Sequence, residues 1–122
     1  MSSKLASEPS TDLDVAVVIG TLSSDPVRTD LASGSVLVRY EVTARHRGGT
    51  DSVPVSWIDP GRPPAVVAGD RVAVVGHVRR RFFRAGGATR SATEIAATWV
   101  GRAHSTRRVA ITLGETLDVI GH

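Results

Sequence analysis

The chain has 122 residues, 41% of them hydrophobic, no cysteine, and a formal net charge of +3. This length suits one domain with a modest core. No run approaches the roughly 20 apolar residues of a membrane span, and the first residues lack the apolar core of a signal peptide. Disulfides and thiolate metal sites are excluded, and a cytoplasmic protein is expected.

The net charge understates an asymmetry. Fourteen of the fifteen cations are Arg, all between Arg28 and Arg108 against six acids, a local surplus of eight. Both flanking segments are slightly acidic. A basic centre points to a polyanion partner, although genomic base composition also enriches Arg over Lys.

In chain order, residues 1–12 are rich in Ser, Thr and acids without periodicity and read as a disordered lead-in. Val15-Ala16-Val17-Val18-Ile19, prolonged to Leu22, is too short for a free-standing helix and rich in β-branched residues, which predicts a first strand. Ser23-Ser24-Asp25-Pro26 turns the chain. Ala32-Ser33-Gly34-Ser35 reads as a hairpin tip. From Val36 to Ala44, Val36, Val38, Tyr40 and Val42 alternate with Leu37, Arg39, Glu41 and Thr43, a half-buried second strand. After the loop His46–Thr50, Ser52 to Ile58 forms a third strand in which Pro54 points to an edge or a bulge.

Asp59-Pro60-Gly61-Arg62-Pro63-Pro64 cannot be helical, because prolines remove donors and restrict their predecessors. Ala65-Val66-Val67-Ala68 could form one helical turn, closed by Gly69. Asp70 to Val78 predicts a fourth strand continuing to Arg84, Gly86-Gly87 a turn, and Thr89 to Val100 the return strand. The expected architecture is all-β: a five-stranded OB-type barrel over residues 13–101, with a long hairpin and at most one short helix. Val109, Ile111 and Leu113 alternate, so the extension 102–122 could carry an extra strand.

Catalysis finds little support. His46, His77, His104 and His122 are widely spaced, and no metal-ligand spacing joins them. There is no nucleophile elbow, phosphate-cradling loop or dinucleotide fingerprint. The chain is not read as an enzyme, and no cofactor is expected.

Arg79-Arg80-Arg81-Phe82-Phe83-Arg84 is more informative. In an extended chain Arg79, Arg81 and Phe83 share one face, while Arg80, Phe82 and Arg84 share the other. Each face sets a ring beside guanidinium groups, the combination that neutralises a phosphate and stacks a base of single-stranded nucleic acid. The opposed reading buries one Phe in the core, and parity alone leaves open which. Tyr40 and Trp99 lie within apolar alternation and favour the core. Trp57 borders the proline-rich loop, where core and surface are equally open.

Six motifs in order carry a resemblance. They are Asp14-Val15-Ala16-Val17-Val18-Ile19-Gly20-Thr21-Leu22, Asp25-Pro26, Gly34 followed by Val38-Arg39-Tyr40-Glu41-Val42-Thr43, Ala68-Gly69-Asp70-Arg71-Val72-Ala73-Val74-Val75-Gly76-His77-Val78, Arg79-Arg80-Arg81-Phe82-Phe83, and Thr93-Glu94-Ile95-Ala96-Ala97. Together they resemble the bacterial single-stranded-DNA-binding proteins of the OB fold, from about Asp14 to Gly101. The resemblance implies binding of single-stranded DNA with little sequence preference, in replication, repair and recombination, by a homotetramer. It makes Phe83 and Trp57 base-stacking positions and Arg79 and Arg81 phosphate contacts. Arg39, Arg45, Arg84 and Arg90 complete the expected phosphate track.

The departures are also specific. Asp51 stands where the family has a stacking Trp, Asp14 where it has Asn, and Pro60, Pro63 and Pro64 break the family's helix. The sequence ends Asp118-Val119-Ile120-Gly121-His122, without the family's Gly/Pro/Gln-rich tail and acidic tip, so recruitment of repair enzymes is not implied. An alternative expectation follows: an OB-fold interaction subunit with reduced DNA affinity that assembles with a protein partner.

Overall fold

The computed structural model of the protein describes residues 14–103. The expected lead-in 1–12 and the extra strand at 109–113 lie outside these residues. Six strands run in chain order: β1 (Ala16–Leu22), β2 (Val27–Asp30), β3 (Val36–His46), β4 (Gly49–Ile58), β5 (Arg71–Ala85) and β6 (Ala88–Arg102). They form one sheet in the order β1-β5-β6-β4-β3-β2, and a further β1–β3 pairing closes β1, β5, β6, β4 and β3 into a ring. Among the described residues all pairings are antiparallel except β4 with β6, which run parallel at Val55–Ile95 and Ser56–Ala96.

The all-β expectation holds, with one correction. β2 is an additional strand, where only a turn and a hairpin tip are legible in sequence. All four of its residues are exposed, so burial imposes no alternation on them. It exists because the tip, closed by Leu31 N–H to the Ser35 carbonyl at 2.8 Å, folds it back onto β3.

The helical turn that Ala65–Ala68 could form is absent, within the limit of at most one short helix. Its backbone donors find other acceptors. Val66 N–H bonds the Pro64 carbonyl, Val67 N–H the Asp70 carboxylate, Ala68 N–H the Asp25 carboxylate, and Gly69 N–H the Leu22 carbonyl. Among the described residues there is no helix, and therefore none long and apolar enough to cross a membrane.

Inside the ring Leu22, Val38, Tyr40, Val42, Val55, Val66, Val72, Val74, Ile95 and Val100 form the buried core, with Trp57 and Val53 packed against it half-buried. Tyr40 is in the core, as its alternation predicts. Trp99 is not in that cluster: it lies half-buried on the side opposite Val100, its ring against Gly101. Pro54 sits at the last β4 position before the short pairing with β6, so the lost donor falls where β4 is an edge.

β5 and β6 have 15 residues each, about 50 Å of extended chain at about 3.3 Å per residue. β1 pairs with β5 only from Arg71 to Gly76. Beyond Gly76, among the described residues, β6 is the sole strand paired with β5, so the hairpin projects from the ring as an arm. Gly86 and Gly87, at φ of 60° and 80°, form its two-residue turn, a conformation that suits glycine at both positions.

Candidate nucleic-acid interface

The hairpin register is dictated by its turn. Ala85 pairs with Ala88, and the ladder continues without slip through Phe83–Arg90, Arg81–Ala92 and Arg79–Glu94 to Gly76–Ala97. Arg79, Arg81, Phe83 and Arg90 thus share the outward face, and Val78, Arg80, Phe82 and Arg84 the other.

The outward face is organised around Glu94, the one acid on this arm and a buried one. Arg79 Nη2 donates to Glu94 Oε2 at 2.6 Å and to Ser56 Oγ at 3.0 Å. Ser56 Oγ, itself buried, donates to the same carboxylate oxygen at 2.9 Å. Arg81 Nε lies 3.3 Å from Glu94 Oε1, an ion pair without hydrogen-bond geometry. Burial pushes the Glu94 carboxyl up. Hydrogen bonds from Arg79 and Ser56, with the charges of Arg79 and Arg81, outweigh it and hold the group below its ordinary value.

Arg81 then stacks on Phe83, its Cζ 5.2 Å from the ring centroid, within cation–π range. Two guanidinium groups over one carboxylate leave a net positive charge, held in place beside an accessible ring. Arg79 and Arg81 side chains remain 44% and 39% exposed. They are anchored and still reachable. Arg39, on β3, lines with Arg81 a cavity of about 200 Å³ to which the acids Asp25, Glu41 and Glu94 also contribute.

Neither Phe enters the core. Phe82 is 67% exposed and Phe83 36%, so the alternative of one ring filling the interior is not realised. Arg84 lies on the Phe82 face, where its Nη2 donates to the Gly87 carbonyl at 3.1 Å and braces the turn. Arg90 is exposed on the Phe83 face.

Two expected site residues stand apart. Trp57 alternates with Ser56 and packs half-buried against the core, on the opposite side of β4 from the Arg79–Glu94 cluster. Arg45 lies six residues along β3 from Arg39, about 20 Å away, in a separate cleft with Arg71. Asp51 is bound by His46 Nε2 at 2.8 Å.

Sequence reasoning missed Ser56 and Glu94 as the anchor of this face. The signal for Glu94 was present: folding the chain about Gly86-Gly87 sets it opposite Arg79. Ser56 gave none, because it arrives through the parallel β4–β6 contact. Compared with protein-family models and with curated proteins, the chain matches none.

Proposed function

We propose that this chain is a non-catalytic OB-fold module that binds single-stranded DNA with little sequence preference. Arg39, Arg79, Arg81 and Arg90 contact phosphates, Phe83 stacks a base, and the protein works as a homo-oligomer at the nucleoid in replication, repair or recombination. Supporting the fold reading are the ring order, its single parallel pair and the long β5–β6 hairpin.

The observation that carries the function is the exposure of Phe82 and Phe83 on an arm holding five Arg between Arg79 and Arg90. Exposed rings on a monomeric surface cost solvation unless a partner covers them. A polyanion with flat apolar bases satisfies both the rings and the cations. The test is anisotropy of labelled oligo-dT titrated with the protein at two salt concentrations. Saturable binding that weakens with salt is expected, and no binding at low salt would end this reading.

A second reading, an interaction subunit with reduced DNA affinity, is favoured by one observation. On the outward side of β1, Val17 and Ile19 are 40% and 44% exposed, directly across from the buried Val75 and Ala73. This apolar face suits a protein partner. Absent oligo-dT binding together with a co-purifying protein would select it.

A further inference from the structure

Where the ring closes, β1 and β3 pair only at Thr21–Thr43 and Leu22–Val42. The two backbones touch there: a Cβ on Gly20 would collide with the Thr43 carbonyl. Before Gly20, β1 follows β5 and diverges from β3, so a cleft opens on the outward side of the seam. Its volume is about 410 Å³, and Arg45, Arg71, Thr21 and Thr43 line it. Among the described residues no carboxylate lines it, and neither Arg is in a salt bridge. Asp70, the acid next to Arg71, is engaged by Arg102 and by Val67 N–H. Asp51, near Arg45 in sequence, is held by His46.

We infer that this cleft is a second anion site, taking a phosphate group between the Arg45 and Arg71 guanidinium groups with the Thr21 and Thr43 hydroxyls as further donors. Two cations line the cleft with no acid among its lining residues, which is the electrostatic requirement for a phosphate. It is separate from the hairpin face: Arg71 and Arg81 are ten residues apart on β5, about 33 Å along an extended strand. The source of the phosphate is either the backbone of a nucleic-acid strand or a free phosphate ion. The first source rests on the function proposed above. A strand following the outward side of β3 from Arg39 would reach Arg45 after about 20 Å.

The test uses the full chain, the double variant Arg45→Gln/Arg71→Gln, and Arg62→Gln as a surface control. In the first arm, inorganic phosphate is titrated at constant ionic strength against chloride, with amide NMR shifts as readout. Saturable shifts at Gly20, Thr21 and Thr43, present in the control and lost in the double variant, are expected. No saturable shift, or shifts that persist in the double variant, would overturn the site. This arm does not depend on DNA binding, so its failure and that of the proposed function are separable. In the second arm, the salt dependence of binding to a long oligo-dT is compared. If the strand backbone is the source, the log–log slope of the double variant falls by about 0.7, the value for one phosphate. An unchanged slope with intact phosphate shifts assigns the cleft to a free phosphate ion.

Discussion

Arg79 and Glu94 face each other across the hairpin ladder, and their side chains meet with Nη2 2.6 Å from Oε2. Because the carboxylate is buried and the guanidinium half-exposed, the pair ties the arm to the ring through Ser56 while leaving charge at the surface. Glu94→Gln should therefore destabilise the fold by about 1.5–3 kcal/mol at pH 7, the range for hydrogen bonds to a charged group. The folded carboxyl titrates below its ordinary value. Its contribution is complete above the unfolded pKa of about 4.3 and is lost as pH falls through the folded value. Urea unfolding at pH 7 and near pH 3 checks this: the gap between wild type and variant should shrink in acid.

Phe83→Ala should weaken oligo-dT binding by about 1–3 kcal/mol without unfolding the protein. Arg81 covers one side of that ring, so the other side is the one left for a base. Unchanged affinity in the anisotropy titration would remove Phe83 from the interface, and a parallel Phe82→Ala variant would then show whether the opposite face of the arm binds instead.

Arg39 and Arg90 are exposed and are in no salt bridge among the described residues. Replacing either with Gln should lower the salt slope of binding by about 0.7. The urea midpoint should stay within error of wild type. Arg79→Gln should instead change both quantities, since Arg79 also satisfies Glu94 and Ser56.

The Tyr40 hydroxyl is buried without a hydrogen-bond partner among the described residues, and burial pushes it up to about 12. An unpaired buried hydroxyl costs desolvation that its removal returns. Tyr40→Phe should therefore be neutral or stabilise by up to about 1 kcal/mol, measured by urea unfolding. A clear loss of stability would mean that the hydroxyl has a partner.

Gly20→Ala should cost about 1–3 kcal/mol, because a methyl there meets the Thr43 backbone and the strands must shift to admit it. Unaltered thermal stability would show that the β1–β3 closure is not tight in solution.

The sequence by itself determined whatever depends on local chemistry. A β-branched run produced β1, alternation produced β3, and the Gly86-Gly87 turn dictated a hairpin register that sets Arg79 against Glu94. Strand parity separated Phe83 from Phe82, and both rings proved too far along the arm to reach the core. Tertiary structure decided what depends on distant segments. β2 has no burial pattern to announce it and forms only by addition to β3. The donors of 66–69 are taken by Asp25, Asp70 and Leu22 as well as by Pro64, which precludes the helical turn. The parallel β4–β6 contact brings Ser56 to Glu94 across 38 residues, and the ring closure gathers Arg45 and Arg71 into one cleft. Periodicity reports which side of a strand a residue takes, but only the closing of the sheet determines which strands become neighbours.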